Sequence, residues 1–512
     1  MTGGSRTERR WLCDTEKVTD ARQSEPRLGA GPLTLTAAEL AAATGGRLVH
    51  SSDRPIRGGA VDSRLVRPGN LFVALAGERT DGHRFLRAAV EAGATALLVN
   101  DLPSETADLA GEGGPTIVAV PDTLLGLHAV AAAWRARFSP LVVGVTGSIA
   151  KTSTKEAIAA VLAERFVTLK SEGNANNEIG LPLTVLQIGP EHGAAVLEMG
   201  MYVGGEIAQL AAIARPKIGV VTAVREVHLS RIGSIDAVER AKAELVEALP
   251  EDGAVVLNAD DSRVLRMRDR TAARALSYGF AADADVRAEE VASAGLDGMS
   301  FTLVSPVGRI AASTPALGRH GVHNGLAAAA VGLAAGLDLG LIAAGLRRGW
   351  QAPHRDQMVR VGSLTVLDDS YNASPTSMIA ALELLASLPG RHVAVLGVMR
   401  ELGEAHERGH REVGAAAAGL ADVVIVVGEE ASGIAAGAAS LGEAVVPVAD
   451  REAAVATLGQ LLRPGDVVLV KASRGAELEW IVESLVGDRG GWVGGADTGL
   501  GSWATDRVED DR

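Results

Sequence analysis

Apolar residues in the first part of the chain follow two different periods. Residues 37–44 and 85–92 repeat apolar side chains at helical spacing, whereas 71–75 and 96–99 are short continuous apolar runs typical of buried strands. The alternation of the two patterns predicts a compact α/β unit over residues 33–138.

A second predicted unit, residues 139–352, opens with a buried-strand pattern at 141–145, followed by a turn of small residues and a helical pattern over 153–164. Near its end, residues 325–346 carry a single charge, Asp338, and are about long enough to cross a bilayer. Alanine and glycine dominate this stretch and interfacial aromatic residues are absent, so we predict two buried helices and no membrane insertion.

The third predicted unit, residues 353–487, alternates apolar runs with alanine-rich helical patterns. The apolar runs are 393–396, 423–427, 445–448 and 467–470. Such alternation indicates βαβ crossovers and a mainly parallel, Rossmann-like sheet. The flanking segments 1–32 and 488–512 are polar, charged or glycine-rich, and we predict a disordered extension and a disordered tail.

Composition narrows the class of protein. The chain has 512 residues, which indicates several domains, and a formal charge of -14, which argues against a nucleic-acid partner. A single cysteine, Cys13, allows neither a disulfide framework nor a cysteine metal cluster. Without an apolar leader before residue 27, a cytoplasmic protein is expected.

The first candidate ligand-binding residues lie in the turn after the predicted strand at 141–145. Backbone N–H groups of a turn that leads into a helix can hold phosphate oxygens, a lysine can neutralise their charge, and a hydroxyl can bind Mg²⁺. The candidate residues are Thr146, Gly147, Ser148, Lys151, Thr152 and Ser153. The strict phosphate-loop pattern fails at Val145 and Ala150, so a Ser/Thr-rich helix start is the alternative.

Four later segments are compatible with the same site. Asn174, Asn176 and Asn177 lie in one polar loop, and Glu198 closes an apolar run where a strand end would present a carboxylate to a metal. His228 follows another strand-like run, and Lys242 lies in a helical pattern. Each has an ordinary alternative, namely an Asx-rich turn, a strand-end acid, a loop histidine or a surface lysine.

Taken together and in this order, these segments resemble the Mur ligase family, from about residue 33 to residue 485. The family's phosphate loop, T-G-x-x-G-K-[ST], is matched at Thr146, Gly147, Lys151 and Thr152. The resemblance implies an α/β fold of three domains. These are an amino-terminal domain that binds the UDP-substrate, a central ATPase domain and a carboxy-terminal Rossmann-like domain.

Three groups of motifs indicate the branch of the family that extends a UDP-linked muramoyl tripeptide with a dipeptide. The first surrounds Ser63 and Arg64, which would face the UDP-substrate. The second is 318–324, where Asn324 resembles an adenine contact. The third consists of 368–375, 396–403 and 471–475.

The resemblance also implies a mechanism and a set of roles. ATP would phosphorylate the terminal carboxylate of UDP-MurNAc-tripeptide, and the amine of D-Ala-D-Ala would attack the acyl phosphate. Thr152 and Glu198 would hold one Mg²⁺, and Glu198, His228 and a carbamylated Lys242 a second. Further implied contacts are Arg355 and Asp369 to ATP, and Asn174, Asn176, Asn177 and Asn372 to substrate. A monomeric enzyme of peptidoglycan precursor synthesis is expected.

The sequence departs from the family pattern at three places. Ala150 replaces the usual glycine, 223–226 replaces Asn-Val-Gly-Pro, and Val398 replaces an aspartate. Ala150 could require an unfavourable backbone angle, and Arg225 places a cation near the expected metal site. Two alternatives therefore stay open, namely a related amide ligase with another substrate and a nucleotide- or UDP-precursor-binding paralogue with little turnover.

Overall fold

A computed structural model describes residues 34–77, 80–225 and 232–488. The chain divides into two compact units: the first contains the described residues up to Pro353 and Glu401–Glu404, and the second contains the other described residues from His354 onward. Within the described residues the first unit holds two β-sheets and the second unit holds one.

The first sheet belongs to the predicted amino-terminal unit. Its strands are β1 (Arg47–His50), β2 (Gly59–Ala60), β3 (Leu71–Val73), β4 (Ala96–Val99) and β5 (Thr116–Ala119), and its helices are α1 (Ala37–Thr44), α2 (Leu86–Glu91) and α3 (Thr123–Arg135). The strand order is β1-β5-β4-β3-β2, parallel except for the edge pair β1–β5. Strands β3, β4 and β5 are buried throughout, which explains why their sequences are continuous apolar runs.

The second sheet has nine strands among the described residues, in the order β14-β13-β12-β11-β10-β9-β6-β8-β7. Its strands are β6 (Leu141–Thr146), β7 (Thr168–Lys170), β8 (Ala194–Glu198), β9 (Ile218–Val221), β10 (Ala254–Asn258), β11 (Arg274–Gly279), β12 (Val286–Ser293), β13 (Met299–Ser305) and β14 (Gly308–Thr314). The last three form an antiparallel meander, whereas the other neighbours are parallel.

Helices cover the parallel part of this second sheet. They are α4 (Lys151–Leu162), α5 (Gly180–Val185), α6 (Glu206–Ala214), α7 (Ile235–Glu247), α8 (Ser262–Leu265), α9 (Gly318–Ala334) and α10 (Leu339–Arg348). The apolar stretch 325–346 is split between α9 and α10 because Asp338 caps the second helix through the backbone N–H of Leu341. No helix of the described residues is long and apolar enough to cross a membrane.

The two sheets of the first unit share a hydrophobic core. Leu127, Val130 and Trp134 on α3 pack in the same cluster as Leu181 on α5 and Leu210 on α6. The Trp134 indole N–H also donates to the carbonyl of Ile188 at 2.9 Å. Helix α3 therefore joins the amino-terminal sheet to the central one.

The second unit contains a six-stranded sheet in the order β15-β16-β20-β17-β18-β19. Its strands are β15 (Gln357–Val361), β16 (Leu364–Asp368), β17 (His392–Leu396), β18 (Val423–Val427), β19 (Val445–Val448) and β20 (Val467–Lys471). Its helices are α11 (Pro375–Ser387), α12 (His406–Leu420), α13 (Ser432–Gly437), α14 (Arg451–Leu461) and α15 (Glu479–Asp488). Only the edge pair β15–β16 is antiparallel among these described strands, so the mainly parallel sheet is confirmed.

Candidate active site

The phosphate-loop residues follow β6, at the centre of the second sheet. Strand β6 lies between β9 and β8, and all three run parallel. Their carboxyl ends therefore meet at one edge of the sheet, where open α/β sheets bind ligands. Thr146 and Glu198 are the last residues of β6 and β8, so the fold brings them to the same edge.

Close packing explains the glycine at 147. A Cβ there would lie 1.8 Å from the Thr222 hydroxyl oxygen, well inside van der Waals contact. The Thr222 hydroxyl donates to the Ile149 carbonyl at 2.6 Å, which ties the loop to the end of β9. Any larger residue at 147 would push the loop away from the neighbouring strand.

Ala150 adopts the left-handed backbone conformation that its expected glycine would favour. Its φ is 62° and its ψ is 7°, immediately before the first residue of α4. The sequence hypothesis of an unfavourable backbone angle is therefore confirmed. The helix begins at Lys151 rather than at 153, so its first turn directly follows this strained residue.

Two side chains hydrogen-bond to the carboxylate of Glu198, which is 2 % exposed. The Thr152 hydroxyl donates to one carboxylate oxygen at 2.8 Å, and the Asn176 amide donates to the other at 2.8 Å. The Lys151 ammonium donates to the Gly147 carbonyl at 2.9 Å, which turns it back over the loop. Helix α4, strand β8 and the loop that contains Asn174, Asn176 and Asn177, called the asparagine loop below, thus contribute to one polar cluster.

Of the other predicted ligand-binding residues in these two loops, some hydrogen-bond to the protein backbone and others are at least partly exposed. Asn177 accepts from the backbone N–H of Gly180 at 2.8 Å, so it caps a turn. The Thr146 hydroxyl donates to the Met199 carbonyl at 2.8 Å, and Ser148 bonds the backbone of Arg225. Asn174 is exposed, and Ser153 is half-buried at the start of α4.

A cavity opens beside this cluster. Its lining includes Lys151, Asn176, Asn177, Glu178, Tyr202 and Gln209. The lining thus combines Lys151 at the start of α4 with residues of the asparagine loop and of α6.

Lys242 lies on α7 and is 3 % exposed. Burial, and to a smaller extent the positive charge of Lys151, hold the pKa of Lys242 well below its usual range. Neutral amine is therefore favoured at this position. His228, the other predicted ligand of a second metal, lies outside the described residues, and the described residues contain no cluster of three or more His, Cys, Asp or Glu able to bind a metal.

Arg225 is neutralised by a residue that the sequence analysis missed. Its guanidinium lies 2.5 Å from a carboxylate oxygen of Asp261, and the same oxygen accepts from the backbone N–H of Val224. Asp261 is 5 % exposed and caps α8. Two sequence features could have indicated Asp261: it lies three residues after the end of β10, and it forms an acidic pair with Asp260.

Asn324 contacts the helix that carries the phosphate loop. It is 5 % exposed on α9, and its side-chain oxygen accepts from the Thr154 hydroxyl at 3.1 Å. Next to it, His323 bonds Asn258 at 3.2 Å and stacks near Tyr278 with ring centroids 5.0 Å apart. This aromatic and polar group at the ends of β10 and β11 was not predicted.

Ser63 and Arg64 lie in a short 3-10 helix, Ser63–Leu65, in the amino-terminal part of the first unit. Arg64 is exposed and its guanidinium bonds Asp62, with the shortest contact at 2.7 Å. Ser63 is half-buried. The two residues lie in a connection between β2 and β3 of the first sheet, far from the phosphate-loop residues in sequence.

The second unit has its own polar cluster at the end of β16. The Lys471 ammonium lies 2.5 Å from a carboxylate oxygen of Asp369 and donates to the Asn372 carbonyl at 2.9 Å. Lys471 is 2 % exposed, so Asp369 and Asn372 are held by a buried charge at the end of β20. The sequence motifs included Asp369, Asn372 and Lys471, but they did not indicate that the lysine contacts the other two residues.

Arg355 and Arg474 both contact the ring of Tyr371. Their guanidinium carbons lie 4.0 Å and 5.2 Å from the ring centroid, and Arg474 donates to the Tyr371 hydroxyl at 3.1 Å. Two cations beside one aromatic face form a surface suited to an anion such as phosphate.

In the second unit, β17 and β20 are parallel neighbours, so the loops that follow them lie side by side at the carboxyl edge of the sheet. The Arg400 backbone N–H donates to the Ser473 hydroxyl at 2.9 Å, and the Ser473 N–H donates to the Val398 carbonyl at 2.9 Å. Val398 is buried and contributes its backbone, so its departure from the family aspartate leaves this link in place.

Three family models match consecutive parts of the chain. They are the Mur ligase family catalytic domain over residues 55–136, the Mur ligase middle domain over 145–332 and the Mur ligase glutamate ligase domain over 354–474. Together they cover both units and each of the three sheets.

Relatives extend the match over nearly whole proteins. The chain is 37% identical over 466 residues to the UDP-N-acetylmuramoyl-tripeptide–D-alanyl-D-alanine ligase of Escherichia coli (strain K12), covering 88% of this chain and 98% of that one. Two solved structures are also similar. A UDP-N-acetylmuramoylalanyl-D-glutamyl-2,6-diaminopimelate–D-alanyl-D-alanyl ligase from Acinetobacter baumannii has a TM-score of 0.79 at 29% identity, covering 90% of this chain and 99% of that one. The MurF ligase of Thermotoga maritima in complex with ADP has a TM-score of 0.73 at 28% identity, covering 84% and 97%.

The phosphate-loop cluster, the three matched domains and a relative of this identity over almost its whole length all agree: the chain belongs to the Mur ligase family.

Proposed function

We propose that this protein is an ATP-dependent, ADP-forming ligase that joins D-alanyl-D-alanine to UDP-MurNAc-tripeptide in peptidoglycan precursor synthesis, acting as a monomer. The observation that carries the proposal is the cluster of Lys151, Thr152, Asn176 and Glu198 at the carboxyl edge of the central sheet. The relatives named above supply the substrate class.

The reaction proceeds in two balanced steps. A carboxylate oxygen of the peptide attacks the γ-phosphorus of ATP, which releases ADP and leaves an acyl phosphate. The dipeptide amine then attacks the acyl carbon, phosphate leaves, and the amine loses a proton as the amide forms. The protein positions the reactants and neutralises charge, with Lys151 serving the transferred phosphoryl group.

Mg²⁺ fits the oxygen donors at the end of β8. The Thr152 hydroxyl and the Glu198 carboxylate lie 2.8 Å apart, and both are ligand types that Mg²⁺ prefers. When bound, Mg²⁺ offsets the negative charge of the phosphates. Asn176 holds the second carboxylate oxygen, so Glu198 is oriented from both sides.

Lys242 fits a second metal site after carbamylation. Burial lowers the pKa of Lys242 and so favours the neutral amine, which is the form that attacks CO₂; the attack makes a C–N bond, releases a proton and turns the side chain into an anion. Glu198, His228 and the modified Lys242 would then hold the second Mg²⁺. An unmodified ammonium at this position would repel the metal.

Residues of both units are assigned to contacts with the nucleotide and the substrates. We assign Arg355 and Asp369 to ATP, with Tyr371 and Lys471 orienting them. The dipeptide is assigned to Asn372 and to the loops that follow β17 and β20. In the first unit, Ser63 and Arg64 bind the UDP moiety, Asn324 binds adenine, and Asn174, Asn176 and Asn177 face the peptide.

Phosphate release by the purified protein tests the function. Release should require ATP, Mg²⁺, UDP-tripeptide and D-Ala-D-Ala together, and omission of any one should abolish it. Lys151→Ala should lose turnover while UDP-precursor binding stays within about twofold of wild type, because the two ligands use different domains.

The same experiment separates the alternatives. Release with another amino acid or peptide in place of D-Ala-D-Ala would identify a related amide ligase. Tight UDP-precursor or ATP binding without release under any condition would identify a binding paralogue.

A further inference from the structure

Glu178 is an acid that the proposed reaction does not yet use. It lies in the asparagine loop, lines the cavity that also contains Lys151, and is half-buried. No described residue gives its carboxylate a hydrogen bond or an ion pair. A carboxylate that lines a cavity and has no cationic partner among the described residues can accept charged hydrogen bonds from a ligand that brings positive charge.

The loop holds Glu178 rigidly at the cavity wall. The His128 ring lies 2.6 Å from the Glu178 carbonyl through Nε2, and the Gln209 amide nitrogen lies 3.1 Å from Nδ1 of the same ring. Asn177 caps the following turn at the backbone N–H of Gly180. His128 and Asn177 thus each bond the loop backbone beside Glu178, and Gln209 contacts the His128 ring from α6.

The other charged groups of the cavity are already engaged. Glu206 accepts from the backbone N–H groups of Tyr202 and Val203, at 2.6 Å and 3.1 Å, so it completes the turn before α6. Lys151 donates to the Gly147 carbonyl beside the phosphate loop. The cavity lining thus combines the Lys151 ammonium with a carboxylate, that of Glu178, that has no cationic partner among the described residues.

We propose that Glu178 receives a substrate ammonium group in this cavity. The inference rests on the proposed function, which supplies two such groups. One is the α-ammonium of the incoming dipeptide, since a free α-amino group titrates with a pKa of about 7.7–8.0. The other is a side-chain ammonium on the third residue of the UDP-linked peptide, as in a diaminopimelate-containing precursor. Glu178 is then a specificity-determining residue for whichever substrate carries the charge.

Steady-state kinetics of Glu178→Gln distinguish the two sources, because the change removes charge and keeps shape. Loss of a charged hydrogen bond of about 1.4 kcal/mol should raise one KM roughly tenfold. If the dipeptide supplies the ammonium, only its KM rises. If the third residue of the peptide supplies the ammonium, the KM rises for a precursor with diaminopimelate at that position but not for a precursor with alanine there. The variant then no longer discriminates between these two precursors.

Controls separate a binding role from a folding role. Glu172→Gln, an exposed acid at the other end of the loop, should leave every KM unchanged, and Glu178→Asp should recover part of the lost affinity. An unchanged KM for all substrates in Glu178→Gln, or an equal rise for all substrates including ATP, would overturn the proposal.

Calorimetry tests the inference without turnover. Each precursor is titrated into wild type and Glu178→Gln, and the dipeptide is titrated in the presence of precursor and a non-hydrolysable ATP analogue. A wild type that releases no phosphate would refute the proposed function, whereas selective weakening of the ammonium-bearing ligand would still support the role of Glu178. Equal affinities of both proteins for all ligands would refute that role.

Discussion

At the scale of single residues, Ala150 carries backbone strain at the phosphate loop. Its left-handed conformation places a Cβ where glycine would have none, at a cost of roughly 1 kcal/mol. The strain is maintained because Thr222 and the start of α4 hold the loop on both sides.

Ala150→Gly should therefore raise the free energy of unfolding by about 1 kcal/mol, measured by urea denaturation. ATP binding should tighten by up to roughly fivefold if the Cβ also crowds the phosphates. Ala163→Gly, at the other end of α4 with an ordinary φ of -63°, is the matched control and should lower stability. Equal losses in both variants would show that Ala150 is unstrained.

A second residue-scale prediction concerns Lys242. If its carbamate holds metal, Lys242→Ala should lose most activity, and acetate or formate with Mg²⁺ should restore part of it. Carbon-13 bicarbonate should give a carbamate signal in wild type that is missing from the variant. Lys217→Ala, which removes an exposed lysine paired with Asp252, should keep both signal and activity. Full activity of Lys242→Ala without rescue would contradict the assignment.

At the scale of elements, His354 attaches the segment before β15 to the end of β16. Its ring lies 2.7 Å from a carboxylate oxygen of Asp368, and its carbonyl accepts from the Tyr371 N–H at 3.0 Å. Its φ of 58° is again left-handed. The hydrogen bond to Asp368 raises the pKa of His354, burial opposes the rise, and the charges of Asp368, Glu479 and Glu483 support it.

Because the folded-state pKa is raised, the His354 contribution is fully present below the ordinary value of 6.5 and is lost as pH rises through the raised pKa. His354→Asn tolerates positive φ but cannot carry charge. The urea midpoint of this variant should fall below that of wild type at acidic pH, and the gap should narrow at alkaline pH. A gap that persists unchanged at all pH values, or that is the same in an Asp368→Asn background, would contradict the ion pair.

At the scale of the whole molecule, the two sheets of the first unit share one hydrophobic core. Helix α3 contributes Trp134 to a core that also contains residues of α5 and α6. The amino-terminal sheet therefore depends on the central domain for part of its buried surface.

Trp134→Ala should destabilise both sheets, by about 3–5 kcal/mol, because it removes a large buried side chain and a hydrogen bond to Ile188. Hydrogen exchange should accelerate in β3 and β4 as well as in β6 and β8. Trp134→Phe, which retains most of the ring, should have a smaller effect of the same kind. Faster exchange confined to β3 and β4 would show that the sheets unfold independently.

Local sequence patterns were sufficient to predict the α/β class, the mainly parallel sheet of the second unit and the strand-turn-helix segment that follows β6. These features depend on apolar runs, turn residues and helix starts, which neighbouring positions specify. Helix α1 and the break between α9 and α10 were predicted for the same reason.

Which polar side chains meet depends on the packing of the folded chain. Asn176 and Glu198, Arg225 and Asp261, and Lys471 and Asp369 are far apart in sequence, and only the order of parallel strands brings each pair together. Likewise, nothing near Glu178 in the chain reveals that His128 holds its backbone, because that contact forms between α3 and the asparagine loop. Spacing along the chain selects the candidates, and the packing of strands and helices determines their partners, charges and roles.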